Sequence, residues 1–433
     1  MAVLSRSQPI RRTRLERKKR KRRKQILLLV AATSGAYALG FWLMGKIFHS
    51  SKYPEVGVDN VFMSQPRRRR PSHERIAPIV HSDATPYESP LLIFTCQRGN
   101  YLSQTLDDIY NYIPRPCSFG CPVVISQDGE NDEVTRVILN YKEKFKSIGI
   151  PLLHIRHKQS SRRESEGVYG SLSKHYKWAL SEFFDGNVVD DYPPPQRVVI
   201  LEEDIHTSPD FFSYMEATSH ILDEDSSLFA ISAFNDNGHL VHDPTRVLRS
   251  DFFPGLGWMM TQTLWKRELE SKWPEAYWDD WLREPAQRKG RQVIRPEISR
   301  TFHFGINGGA SHNQFGSILE QVELNHESIN WMEKDLSFLK ESNYDVQYIN
   351  QIESSIVASN LMEAKHLLRT GNDNVVLQYL DFEDFQQIAE KIQIMDDEKA
   401  MVPRTAYKGI IETRPFGSTN NLLFLKPVNG ATY

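Results

Sequence analysis

Glu202, Glu203 and Asp204 follow directly on the apolar run Val198, Val199, Ile200 and Leu201. Such a run is the pattern of a strand buried on both faces of a parallel sheet. Carboxylates at the carboxyl end of that strand sit where open α/β sheets bind their ligands. Hard oxygen donors there suit Mn²⁺ or Mg²⁺, cations that keep open positions for a diphosphate. Taken alone, the triplet serves equally as an acidic loop before a helix over 210–222, with Ser208 and Pro209 as cap and first-turn residues. A second set of groups lies further on, where Trp273, Trp278 and Trp281 flank Asp279 and Asp280. Aromatic rings stack on the apolar faces of sugars, and carboxylates bind or deprotonate sugar hydroxyls, although each tryptophan by itself reads first as core packing. Gly305, Gly308 and Gly309 lead to Ser311 and His312, a segment able to close over a bound ligand.

Those residues need a scaffold, and the pattern from residue 90 onward supplies one. Apolar runs at 91–95, 123–126, 152–155 and 198–201 predict strands, and amphipathic stretches near 101–110, 133–145 and 171–184 predict helices between them. His175 falls near the apolar side of the last stretch. Strands alternating with helices imply βαβ units and a mostly parallel sheet. Arg98, Asp128 and Asp204 then share one property, that each follows the carboxyl end of a strand. Three polar residues at equivalent edges converge on one crevice and favour a nucleotide or diphosphate, with Arg98 pairing with an anion or a base edge. Residues 251–258, Asp-Phe-Phe-Pro-Gly-Leu-Gly-Trp, suggest a tight backbone path beside a ligand or a plain turn between strands. Beyond residue 325 the chain predicts a helix over 383–391 and a strand over 407–411, in a smaller second domain.

Length and charge set the outer bounds. A chain of 433 residues holds about two domains plus appendages. Its net charge of −2 hides an asymmetry, because residues 1–25 carry twelve Lys or Arg against one Glu. A basic block of this kind also fits a nucleic-acid patch, but residues 26–44 are nineteen without a charge, long enough to cross a bilayer. The basic bias before the span places the N-terminus in the cytosol and the remainder on the far side, a type II signal anchor rather than a cleaved leader. No nucleic-acid partner is expected. Residues 46–89, with several prolines and the run Arg67 to Arg70, read as an extended stem. Of Cys96, Cys117 and Cys121, one pair at most can bridge, and the spacing leaves open which. There is no Asn-x-Ser/Thr sequon.

Five segments carry a resemblance. Glu202-Glu203-Asp204 with Ser208 to Phe212, Asn235-Asp236-Asn237-Gly238, Asp251 to Trp258, Trp278-Asp279-Asp280-Trp281 and Ile294 to Thr301 resemble the N-acetylglucosaminyltransferase I family, the α-1,3-mannosyl-glycoprotein 2-β-N-acetylglucosaminyltransferases of glycosyltransferase family 13. The similarity runs from about Leu91 to Ile411 and includes Met395-Asp396-Asp397 and Val402-Pro403-Arg404. The resemblance implies that Asp204 contacts Mn²⁺, which bridges the phosphates of UDP-N-acetylglucosamine. Glu202 and Glu203 match positions that bind uridine and ribose. The family pattern is Glu-Asp-Asp, so Glu203 is one methylene longer than expected. Cys96, Arg98, Asp128 and His175 match further nucleotide-binding positions, and Ser311 matches a serine in the loop that orders over the donor. Asp279 matches the catalytic base, a choice over Asp280 that rests on the resemblance. A disulfide of mammalian members falls at Ala230 and Val293, neither of which is cysteine here.

The fold implied is an α/β, GT-A-like one: a Rossmann-like nucleotide-binding domain at 90–325, then a linker and smaller C-terminal domain at 326–433. A basic tail (1–25), one transmembrane helix (26–45) and the stem (46–89) precede it. The implied activity is inverting transfer of N-acetylglucosamine from UDP-GlcNAc, in β1,2 linkage, to the α1,3-linked mannose of the high-mannose N-glycan Man5GlcNAc2, at the Golgi membrane with the catalytic part luminal. Two other readings stand beside it: a transferase acting on O-mannose, and an inactive, lectin-like glycan binder. A stem of this length is too short for the additional carbohydrate-binding domain typical of the O-mannose enzymes.

Overall fold

The structure is a computed structural model that describes residues 88–158, 163–188, 193–305, 316–417 and 421–429; the side chains of 163–166, 316 and 317 lie outside it. The expected anchor and nearly all of the expected stem fall outside the described residues, as does Ser311. Among the described residues no helix is long and apolar enough to cross a membrane. They fall within one compact unit, 76–433.

The first four strands are β1 (Pro90–Thr95), β2 (Gly120–Asp128), β3 (Leu152–His157) and β4 (Arg197–Glu202). They lie in the order β3-β2-β1-β4, every neighbouring pair parallel. The same eight-stranded sheet continues through β8 (Trp258–Thr261), β6 (Leu228–Ser232), β9 (Gln292–Pro296) and β7 (Val247–Ser250). Here the direction is mixed: β8 runs antiparallel to both β4 and β6, β9 is parallel to β6, and β7 is antiparallel to β9. A short ribbon, β5 (Ile205–Thr207) with β10 (Thr301–His303), follows the acidic triplet.

Alternate residues along the buried strands enter different cores, as the two-residue period of a strand requires. Leu91, Ile93, Val123, Ile125, Val199 and Leu201 pack on one face. Leu92, Phe94, Val124, Val198 and Ile200 pack on the other. Both faces therefore need cover. Helices α1 (Gly99–Tyr112), α2 (Asp132–Lys146) and α4 (Phe211–Glu224) serve the first face, and α3 (Arg163–Phe184) serves the second with Tyr176, Ala179, Leu180 and Phe183. In α2 the buried residues Val134, Ile138, Tyr141 and Phe145 recur at three and four, and the Asn131 side chain caps the Val134 N–H at 3.0 Å. Helix α3 starts earlier than the sequence suggests and is broken at Gly167, whose φ of 69° and ψ of 177° no helix accepts.

Two local expectations are corrected. Helix α4 begins after Asp210, which gives no side-chain cap. Its buried carboxylate is already engaged by Arg300 Nε (3.1 Å), Asn325 Nδ2 (2.8 Å) and Trp331 Nε1 (2.7 Å). The strand expected at 407–411 is a tight turn instead: Lys408 and Gly409 take positive φ, Tyr407 and Ile410 exchange backbone hydrogen bonds, and pairing starts only at Ile411. Cys117 and Cys121 form the disulfide, in which Cys96 takes no part. Ala230 and Val293, where the resemblance places a disulfide in mammals, face each other across β6 and β9.

The C-terminal residues build a second sheet, β11 (Ile356–Ala358), β12 (Val375–Tyr379), β16 (Leu423–Pro427) and β15 (Ile411–Thr413), in that order. Between them, β13 (Glu398–Lys399) and β14 (Val402–Pro403) make a small hairpin. Ala364, Leu368, Phe385 and Ile388 pack beneath this sheet, and Phe252 from the first half joins them.

Candidate active site

Register brings the strand ends level. Phe94 pairs with Ser126 across β1 and β2, and with Glu202 across β1 and β4. The residues that follow these positions therefore share one rim of the sheet. Arg98, Glu203 and Asp204 meet there directly. The Arg98 guanidinium donates from Nε to Glu203 Oε1 at 2.8 Å, and its Nη2 lies 2.7 Å from Asp204 Oδ2. His303, on β10, holds the same Asp204 oxygen at 3.2 Å. Burial opposes ionisation of Asp204, but His303 and Arg98 outweigh it and keep the carboxyl below its usual range. Glu203 goes the other way: burial and the Asp204 charge push it up to about 7 despite Arg98. Glu202 points to the opposite face of the sheet, where the Tyr176 hydroxyl donates to it at 2.8 Å. Burial and the Asp204 charge raise Glu202 to about 6.

Whether these residues fit a cation turns on the other oxygen of Asp204. Oδ1 is buried and has no hydrogen-bond partner among the described residues. A buried carboxylate oxygen left without a donor is costly unless something binds it. A Cβ at Gly305 would overlap the same carboxylate, so the backbone passes close to it as only glycine permits. Among the described residues no three His, Cys, Asp or Glu side chains group to hold a metal ion. The fit is to a cation with one protein carboxylate and the rest of its shell from ligand and water, which is how Mn²⁺ or Mg²⁺ sits on a diphosphate.

Cys96 and Asp128 occupy the neighbouring strand ends, and His175 reaches them from α3. The Cys96 thiol lies 3.5 Å from the Asp128 carbonyl, and the Asp128 carboxylate meets His157 Nδ1 at 2.7 Å. His157 stacks on His175, with centroids 5.5 Å apart, and lies tilted against Trp178 at 5.1 Å. His175 shares a hydrogen bond with Ser126 Oγ at 2.7 Å, and burial lowers its pKa to about 3, so the ring is neutral. Two flat rings and a carboxylate beside a strand end can take a planar base and a hydroxyl.

Asp279 and Asp280 stand in the first turn of a short helix, α5 (Trp278–Arg283), rather than on a strand or loop. Both carboxylates converge on one donor, Arg283 Nη1, at 2.9 and 2.7 Å. Arg283 is buried and anchored through Nε to the Phe253 carbonyl at 3.0 Å. Lys399 reaches Asp280 at 3.3 Å, which leaves Asp279 the less encumbered of the two. Trp273 and Trp278 are core residues, as their type suggests; Trp278 stacks on Tyr176 at 4.4 Å. Tyr176 is the link between the two halves of the site. Its hydroxyl holds Glu202, and the negative charges of Glu202 and Asp279 both raise its pKa, on top of burial.

The expected site residues thus fall into three groups along one rim, with Ser311 outside the described residues. Residues 251–258 are a turn between β7 and β8, packed so that a Cβ at Gly257 would strike Thr301. Asn235 and Asn237 bind backbone and Thr405. Sequence reading missed Tyr176, His157, Trp178, Arg283 and His303. Only Arg283 left a signal, because an arginine four residues after Asp279 lies on the same helix face.

Fold and site define an α/β protein with its ligand crevice where the strand order reverses beside β1. Residues 57–428 match the model of the GNT-I family, and the chain belongs to that family. It is 37% identical over 333 residues to the alpha-1,3-mannosyl-glycoprotein 2-beta-N-acetylglucosaminyltransferase of Arabidopsis thaliana, covering 75% of this chain and 71% of that protein. Among solved structures, it is distantly similar to a mannosyltransferase of Pyrobaculum calidifontis in complex with GDP-Man and Mn²⁺, at 14% identity, 63% of this chain, 68% of that one and a TM-score of 0.32. GalNAc-T7 with UDP, GalNAc and Mn²⁺ is likewise similar at 11% identity, 50% of this chain, 44% of that one and a TM-score of 0.33.

Proposed function

We propose that this chain is an inverting N-acetylglucosaminyltransferase of GT-A-like fold. It moves N-acetylglucosamine from UDP-GlcNAc to the 2-hydroxyl of the α1,3-linked mannose of Man5GlcNAc2, with Mn²⁺ on the donor diphosphate. Membership of the GNT-I family over residues 57–428 is the observation that carries this reading. The geometry supports it, because the acidic triplet and the Asp279 carboxylate share a neighbour in Tyr176. The donor is an α-glycoside and the product a β-glycoside, so one in-line displacement suffices and no enzyme nucleophile is needed. Asp279, held by Arg283, takes the proton from the acceptor hydroxyl as that oxygen attacks C1. Asp204 would hold the cation, with its Oδ2 already fixed by Arg98 and His303. When bound, the cation supplies neutralisation of the charge on the leaving diphosphate. His157, His175 and Asp128 receive the nucleoside. An N-terminal anchor at 26–45, a stem at 46–89 and a luminal catalytic part at the Golgi membrane complete the proposal.

The test is incubation of the full chain with UDP-GlcNAc, Mn²⁺ and either Man5GlcNAc2 or an O-mannosyl peptide, with the linkage of any product read by NMR. Transfer to the α1,3-arm mannose in β1,2 linkage is expected. Transfer to the peptide alone, or glycan binding without transfer to either, overturns the reading in favour of the O-mannose enzyme or the lectin.

A further inference from the structure

Beside the proposed base lies an aromatic pair that the chemistry above does not use. Tyr277 is 55% exposed and precedes α5 in a left-handed backbone conformation, φ 54° and ψ 46°. Its ring stacks on Tyr169, with centroids 4.4 Å apart and planes 30° from parallel. Left-handed backbone is strained for a bulky residue, and such strain concentrates at ligand-binding sites. An exposed ring recovers little of that by burial. Tyr169 lies next to both acids: partial burial and the charges of Asp279 and Asp280 hold its phenol above the usual range. Seven residues separate Tyr169 from Tyr176, so the two lie on one face of α3 beyond its break at Gly167. That face runs from the buried Tyr176–Glu202 contact outward to half-buried Tyr169 and exposed Tyr277.

We propose that Tyr169 and Tyr277 form an acceptor platform on which a sugar of the oligomannose glycan, one beyond the reacting mannose, stacks its apolar face. This rests on the transferase reading above. A pyranose carries a patch of C–H groups on one face and hydroxyls around its edge. An open tyrosine face matches the patch, while the Asp280–Lys399 pair offers both an acceptor and donors to the edge. The uridine end of the donor has its own rings at His157 and His175, on the far side of Tyr176 in the chain of contacts.

The experiment compares the full wild-type chain with Tyr277→Ala and Tyr277→Phe, measuring KM for Man5GlcNAc2, KM for UDP-GlcNAc and kcat. Expected are a rise of about tenfold in acceptor KM for Tyr277→Ala, within the range of one lost aromatic contact, and less than about twofold for Tyr277→Phe. A simple methyl mannoside, too small to reach the platform, should show the same KM with all three. An unchanged glycan KM in Tyr277→Ala, or an equal rise in donor KM, overturns the platform. If the wild type transfers to no acceptor, the transferase reading fails by itself. Calorimetric binding of Man5GlcNAc2 then tests the platform alone: tenfold weaker binding by Tyr277→Ala supports it, and equal affinity overturns it.

Discussion

At the scale of single residues the site separates into groups whose charge is spoken for and atoms left open. Asp204 shows both in one carboxylate: Oδ2 is held by Arg98 and His303, and Oδ1 is buried without a partner among the described residues. Asp204→Ala should therefore abolish Mn²⁺-dependent binding of UDP, read by calorimetry with and without the metal; equal affinity in wild type and variant would show that the cation sits elsewhere. Asp279→Asn keeps the shape and its contact with Arg283 but removes the basic oxygen. Turnover should fall about 10²- to 10⁴-fold, the usual weight of a general base, while the KM for UDP-GlcNAc stays within about twofold. Near-normal kcat would remove Asp279 from its role, and a matching loss in Asp280→Asn but not Asp279→Asn would transfer the role to its neighbour. The acidic residues of this site were legible because Arg98, Asp128 and Asp204 align at strand ends and the family resemblance singles out Asp279, although the triplet alone reads equally as an acidic loop. The residues that set their states were not. Tyr176 and His303 are ordinary amphipathic positions in sequence, and they reach the triplet only through packing between elements far apart in the chain.

At the scale of elements, strands were easier to place than their ends or directions. The four apolar runs became β1 to β4 because a strand buried on both faces has no polar side to blur its pattern. Direction in the second half of the sheet was not legible, since an antiparallel β8 between β4 and β6 carries the same apolar alternation as a parallel one would. Short turns also escaped, as at Lys408 and Gly409, where two positive φ values end a run that reads as strand. Register is testable. Ala230 and Val293 are both fully buried and face each other across β6 and β9. Ala230→Cys combined with Val293→Cys should form a disulfide under oxidising conditions and close a loop of some sixty residues. The chain-entropy estimate for such a loop is about 4 kcal/mol, with strain reducing it. The double variant should lose more melting temperature on reduction than wild type, in which the reductant opens only the Cys117–Cys121 disulfide. Alkylation of either introduced thiol in the oxidised, folded protein would contradict the pairing of these strands.

At the scale of the whole molecule the question is what ties the second sheet to the first, and one carboxylate answers it. Glu297 follows β9 and is buried. It accepts from the backbone N–H groups of His242 and Asp243 at 2.8 and 3.0 Å, from Arg246 at 3.2 Å and from Arg414 at 3.0 Å. Arg246 also grips Glu412, and Glu412 and Arg414 belong to the second sheet and its exit. Burial by itself would raise the pKa of Glu297, but Arg414, Arg246 and the Asp243 N–H outweigh it and hold the group below its usual range. A carboxyl with a depressed folded-state pKa contributes stability that is fully present above its unfolded value, near 4.3, and is lost as pH falls through the folded value. Glu297→Gln leaves two half-buried guanidinium groups facing an uncharged amide, one of them still paired with Glu412. The loss at neutral pH is therefore about 3 kcal/mol, the low end for a broken buried pair. The variant should therefore unfold at clearly lower urea than wild type at pH 7, and the gap should narrow as pH falls below the unfolded value near 4.3 and on through the depressed folded value. A gap of constant size from pH 7 to pH 3 would mean that shape rather than charge joins the two sheets at this point. No gap at pH 7 would mean that the carboxylate does not join them at all.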